Sequence, residues 1–238
     1  HTKEANVKEL RLRIPAIYED VLGKWRDATR EWLAFVKQHP KDAKAAEALN
    51  HAAWLTEYRL RRPKEAGELY ARVVKDYPNY KGRQKAQGRL AYLCEDGGIR
   101  DYQRAVQEYR NYIKWYPKAE DLYEKTMRLA YMLRHRVNQQ ANAVEAYKSA
   151  LKIKPNPSVA YDLAYGYYAA GDRKAAVAAW KEFIAKYPED YRVHHSWQYM
   201  RDRLWELKER EETLKVAAEV CQKYPKDVSD HWTYAYRL

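Results

Sequence analysis

The sequence predicts an all-α solenoid of about five to six copies of one helix pair, and three regularities predict it. An alanine followed by an aromatic residue returns at Ala53-Trp54, Ala91-Tyr92, Ala130-Tyr131, Ala164-Tyr165 and Ala235-Tyr236, at intervals of 38, 39, 34 and 71, the last being about two periods. A proline keeps the same beat at Pro40, Pro78, Pro117, Pro155, Pro188 and Pro225, and each closes a stretch with helical periodicity. Glycine is scarce, eight in 238 residues, yet Gly97-Gly98 and Gly171 fall where the first helix of a pair must stop, as a helix C-cap requires. One supersecondary unit therefore repeats with a period in the thirties, and such a unit buries its apolar face only against its neighbours.

The elements follow in chain order. Residues 1–40 read as N-terminal helices and a degenerate first repeat: Pro15 interrupts the pattern, leaving Val7 to Ile14 and Ala16 to Leu22 as short helices before a stronger one from Trp25 to Gln38. Residues 41–227 carry the regular repeats. Residues 228–238 supply the first helix of a further pair and then stop, so Val228 to Leu238 is expected to cap the array, to continue into further sequence or to dock on another copy. Docking of tail on head is a heterologous contact, which builds rings or filaments.

The stretch Pro157 to Asp190 shows the unit most clearly. Leu163, Ala164, Tyr167, Ala176, Trp180, Phe183 and Pro188 stand where two antiparallel helices interlock, and this pattern resembles the tetratricopeptide repeat family. Further copies carry Ala66, Tyr70 and Pro78, then Ala105, Tyr109 and Pro117, then Ala143, Tyr147, Ala150 and Pro155. Phe183 departs from the family, which usually has a small residue at that place. Several copies are longer than the standard unit, with the extra residues expected in loops. The phrases Phe35 to Pro40 and Phe183 to Pro188 resemble the repeat style common in bacterial envelope proteins. The resemblance implies a right-handed solenoid, a non-enzymatic binding scaffold and an address in the periplasm, on the envelope or outside the cell, with the cytoplasm as the alternative.

By the family pattern, the residue after the buried alanine turns to the concave wall, the usual ligand surface. Trp54, Tyr92, Tyr131, Tyr165 and Tyr236 are then expected to line a groove in file, with Tyr199 filling the long interval. Tyr161 and Tyr168 lie three or four residues from Tyr165 and share its helix face. Such a stripe suits an extended protein or peptide segment or a sugar chain. The alternative is that these rings pack between repeats.

Charge is the second clue. Forty-five basic against thirty-three acidic residues leave +12, a field that favours acidic partners. Arg59, Arg61, Arg62 and Lys64, then Arg100 and Arg104, then Arg134 and Arg136 cluster at turns between paired helices, and aligned turns would form a basic ridge. A polysaccharide or other polyanion could meet that ridge, and a solubilising rim is the plainer reading. Nucleic acid is disfavoured because no groove-reading motif accompanies the charge.

Catalysis, metals and cofactors have little support: there is no Gly-rich phosphate loop and no paired-cysteine zinc or haem motif. His194 and His195, with His231 one period on, cannot easily face one ion, because successive helical residues point about 100° apart. Cys94 and Cys221 lie several repeats apart and are expected to be buried small apolar residues. No hydrophobic run approaches the roughly 20 residues needed to cross a bilayer. A chain that starts at His1 is expected to be a processed chain or part of a longer one, so its start does not argue for the cytoplasm.

Overall fold

The computed structural model describes residues 12–227 and residue 230. Among these, every regular element is an α-helix. Residues 12–20 form α1. There follow α2 (Trp25–Gln38), α3 (Ala45–Tyr58), α4 (Pro63–Asp76), α5 (Arg83–Glu95), α6 (Tyr102–Trp115), α7 (Leu122–His135), α8 (Gln140–Ile153), α9 (Pro157–Ala169), α10 (Arg173–Lys186), α11 (Val193–Glu206) and α12 (Arg210–Lys223). The chain divides after Ala119 into two compact units. In the first, α2, α3, α4, α5 and α6 each pack on the next; in the second, α7 through α12 do the same. Within each unit, this all-α array of helix pairs packed on their sequence neighbours is the architecture the periodicity predicts.

The alanines explain the close packing. Ala52, Ala53, Ala91, Ala130 and Ala164 are fully buried, since only a methyl group fits where helix axes approach to about 8–10 Å. In the first unit Leu49, Leu55, Tyr70, Val73, Leu90, Tyr109 and Tyr112 fill the space between them. In the second, Trp180, Phe183, Met200, Leu204 and Val220 form one cluster, and Phe183 supplies bulk there that a small residue could not.

The recurring proline marks a turn device. His39, Tyr77, Tyr116, Tyr187 and Tyr224 cap α2, α4, α6, α10 and α12. Their carbonyls accept from the amides of Asp42, Tyr80, Ala119, Asp190 and Asp227. The following proline cannot extend the helix. The cap's ring packs on the residue one turn back, as in Phe35–His39, Tyr112–Tyr116 and Phe183–Tyr187, with centroids 5.3, 5.2 and 5.7 Å apart. The shorter loop 154–156 works differently. Lys154 is extended, as a residue before proline prefers, and the Asn156 side chain accepts from the amides of Ser158 and Val159.

Turns within pairs carry left-handed backbone. Gly98 and Gly171 have φ of +105° and +87°, as a glycine C-cap should. Gly97 is not in that region; a Cβ there would lie 2.7 Å from the Leu93 Cα, so close approach is what demands glycine. The other turns place Arg61, Asn138 and Lys208 at φ of 55°, 53° and 64°, and Arg100 joins Gly98 at 58°.

Two expectations need correction. Residues 12–20 are helical straight through Pro15, whose ring is buried; Val7 to Arg11 lie outside the described residues. Cys94 is buried, which pushes its thiol up to about 11, whereas Cys221 is only half-buried.

Candidate functional site

The helices α3, α5, α7 and α9 each carry an aromatic residue one position past a buried alanine, and the structure holds these rings at the surface without leaving them bare. Trp54, Tyr92 and Tyr165 are half-buried and Tyr131 is 45% exposed. Tyr236 lies outside the described residues, as do His231 and the segment 231–238.

In the first unit the rings are spaced by arginines. Trp54 stacks on His51, centroids 5.8 Å apart, and tilts against Tyr58 at 5.5 Å. The Arg59 guanidinium lies 4.7 Å from the Trp25 ring centre and 5.7 Å from that of Trp54. Arg89 sits between Tyr58 and Tyr92, at 5.3 and 4.8 Å. Arg89 is held there by an ion pair with Glu57, whose side chain is only 9% exposed and also accepts from the Tyr70 hydroxyl at 3.1 Å. Burial pulls the Arg89 guanidinium somewhat below its ordinary value, but an arginine remains charged at any physiological pH.

In the second unit the rings meet one another. Tyr165 lies edge-on to Tyr168 at 5.9 Å and to Tyr199 at 6.2 Å, and Tyr199 stacks on the buried Trp180 at 5.4 Å. Arg203 covers Tyr168 at 4.2 Å. Arg134 covers Tyr165 at 4.7 Å while pairing with Asp162 at 3.0 Å. Tyr161 is edge-on to Phe183 and lies under Arg192; burial and a hydrogen bond shared with Tyr199 push its hydroxyl up to about 12. Tyr131 tilts against His135 at 4.7 Å, and Arg136 reaches it from 5.9 Å.

Tyr199 joins this group from one turn earlier than the repeat position, which in α11 is occupied by Asp202. Counted from Arg83 and Val193, the starts of α5 and α11, Tyr199 stands where Arg89 stands. Sequence reasoning missed Arg89, Arg203, Glu57 and Trp25. The available signal was weak: Arg89 precedes Tyr92 by one helical turn, but its acid partner is a repeat away.

The basic turn residues divide into two kinds. Arg62 pairs with Glu65, Arg104 with Glu68 and Arg134 with Asp162, while Arg59 and Arg136 lie against rings. Arg61, Lys64 and Arg100 are exposed.

One further polar cluster lies on α11. His194 Nε2 is 2.6 Å from Asp230 Oδ2 and 3.6 Å from Asp227 Oδ2. Three such groups, with ligand atoms within 4.8 Å of one another, could surround an ion. Asp230 Oδ1, however, accepts from Arg201 at 2.9 Å and Gln198 at 3.0 Å. The buried guanidinium supplies the positive charge a cation would bring. Burial pushes the Asp230 carboxyl up, and the hydrogen bonds from His194, Gln198 and Arg201 outweigh it, leaving it below the ordinary value. His195 points away into solvent, its ring 6.1 Å from that of His194. The cluster reads as a satisfied structural network that ties Asp230 to α11.

Comparison with known proteins agrees with this architecture. Tetratricopeptide repeat family models match residues 16–81 and residues 158–190. No curated protein matches the sequence. Among solved structures, the complex described as Naa15/Naa10 bound to HypK-THB superposes with a TM-score of 0.50 at 14% identity, over 99% of this chain and 39% of that one. A tetratricopeptide repeat protein from Parabacteroides merdae gives 0.49 at 12% identity, over 90% of this chain and 79% of that one. PilW, described as a widely conserved type IV pilus biogenesis factor, gives 0.46 at 15% identity, over 95% and 98%. At 14% identity the first of these likenesses speaks for fold alone.

Proposed function

We propose that this chain, which carries tetratricopeptide repeats whose helix pairs support protein–protein interaction, binds an extended peptide segment laid along the aromatic row of a single unit. The observation that carries this reading is the half-exposure of Trp54, Tyr92, Tyr131 and Tyr165 together with the arginines that hold their rings in place. A ring that is already oriented loses little entropy on binding, and each new ring contact contributes about 0.5–1.5 kcal/mol. Several repeats must therefore act together, giving an extended contact of moderate affinity. The same faces could stack on a sugar chain, so carbohydrate is the competing ligand. In this reading the protein is a scaffold without catalytic chemistry and works in the envelope or outside the cell. No helix among the described residues is long and apolar enough to cross a membrane.

A display selection with random linear peptides tests the proposal. Enriched peptides should bind the parent protein, and the Tyr131→Ala/Tyr165→Ala variant should lose most of that affinity while its helical circular dichroism stays intact. Unchanged affinity would remove the aromatic rows from the binding site. A second reading, association of copies through the repeat ends, is favoured by exposed Ile14 and Ile17 on α1 and by Val21 in the turn just after it, 74% exposed. Light scattering over a concentration series separates the two, since a constant single-chain mass removes association through the repeat ends.

A further inference from the structure

We infer that the turn edge of the first unit, through Arg61 and Arg100, is a docking site for a short acidic segment of a partner protein. This is distinct from the aromatic rows and does not rest on them. The first observation is backbone conformation. Arg61 and Arg100 adopt φ of 55° and 58°, the left-handed region that side chains with a Cβ rarely enter; the corresponding turns after α7, α9 and α11 place Asn138, Gly171 and Lys208 there. Glycine or asparagine would hold the same turn without strain, so folding alone does not call for arginine at either place. Strain of this kind is retained where a side chain has another task.

The second observation is that the two turns are in contact. A Cβ on Gly98 would lie 2.7 Å from Pro63 Cγ, and one on Gly67 would lie 2.7 Å from Ile99 Cδ1. The turn after α5 therefore rests on the start of α4. Arg104 on α6 also reaches Glu68 on α4, at 2.7 Å. Arg61 and Arg100 consequently belong to one edge.

The third observation is the state of the neighbouring charges. Arg62 and Arg104 are engaged by Glu65 and Glu68, and Arg59 lies against Trp25 and Trp54. Among the described residues no ion pair, hydrogen-bond acceptor or ring engages the side chain of Arg61 or Arg100, and both are exposed. Two unengaged planar forks on one edge match discrete carboxylates, which guanidinium binds in bidentate fashion. The same edge exposes Glu65 and Glu68, with side chains 61% and 67% accessible. A uniformly anionic membrane would press against those carboxylates, whereas a peptide with spaced acids can avoid them.

The test compares the parent with Arg61→Gly/Arg100→Gly and Arg61→Asn/Arg100→Asn, all as the full chain. The probe is a labelled peptide of alternating glutamate and glycine, read by anisotropy at low ionic strength, with phosphatidylserine vesicles measured alongside. Expected results are opposite in sign: the glycine variant melts higher by about 2–4 °C and binds the peptide about fivefold more weakly. The asparagine variant should show the same loss of binding. Equal peptide affinity in all three proteins overturns the inference. So does a glycine variant of lower melting temperature, because the turn would then need its arginine for folding. Loss of binding in the glycine variant alone assigns the effect to the backbone and also overturns it. Vesicle binding that needs Arg61 and Arg100, without peptide binding, replaces the acidic segment by a lipid surface.

Discussion

The two units solve the same packing problem with different chemistry, and the contrast turns on one helical position. In α5 that position is Arg89, which inserts between Tyr58 and Tyr92 and pairs with the nearly buried Glu57. In α11 it is Tyr199, which stacks on Trp180 and meets Tyr165 edge-on. At that position α5 thus keeps Tyr58 and Tyr92 apart with a charge, and α11 joins Tyr165 to Trp180 through ring contact. The difference teaches that an aromatic repeat position does not by itself determine an aromatic surface, because in α5 and α11 the residue one turn before it separates the rings or stacks on them.

That contrast can be broken most severely at Trp180. Its side chain is fully buried and carries Tyr199 and Tyr168 on its faces, so Trp180→Ala should cost about 3–5 kcal/mol by urea unfolding. A loss below about 1 kcal/mol would mean that the second row does not depend on its stack.

Next comes the charged counterpart. Arg89→Leu leaves Glu57 with little solvent and only Tyr70 as a donor, and should destabilise by about 2 kcal/mol, discounted because the Arg89 side chain is 35% exposed. The double variant Arg89→Leu/Glu57→Leu should recover part of that loss, and if it recovers none the ion pair is not the cause.

Acid sharpens the comparison further, because the second unit also depends on carboxylates away from its rings. Side-chain hydrogen bonding from Arg192 holds Asp190 below its ordinary value, and Asp230 is likewise lowered despite its burial. A lowered carboxylate contributes stability that is complete above its unfolded value, 3.8, and is lost as pH falls through the folded one. Unfolding at pH 6 and below pH 4 should therefore show an acid-dependent loss that Asp230→Asn reduces. An identical acid profile in that variant would count against the network around His194.

The smallest expected effect is at Tyr131, whose ring is 45% exposed. Tyr131→Ala should change stability by no more than about 0.5 kcal/mol, so any loss of peptide affinity there reports on binding.

Much of this molecule is legible in its sequence. Ala53, Ala91, Ala130 and Ala164 mark the close helix crossings, because a small residue recurring at a fixed period is what a repeated approach of two helix axes requires. The Tyr-Pro phrases mark helix ends because proline cannot continue a helix. The helix Trp25–Gln38 has the limits its periodicity predicts. The effect of Pro15 is not legible, since whether a proline breaks a helix depends on whether the helix needs the amide it lacks. Nor is the division of the arginines into engaged and free, as Arg104 and Arg134 look no different from Arg61 and Arg100 in a string of letters.

The sequence by itself determined the helices, their pairing and their turns, because these follow from local periodicity, capping and the stiffness of proline. Only the tertiary structure decided which rings are stacked, which are covered by a guanidinium and which cations remain unpaired. Those outcomes depend on side chains a full repeat apart, such as Glu57 with Arg89 and Arg134 with Asp162, which packing alone brings within reach.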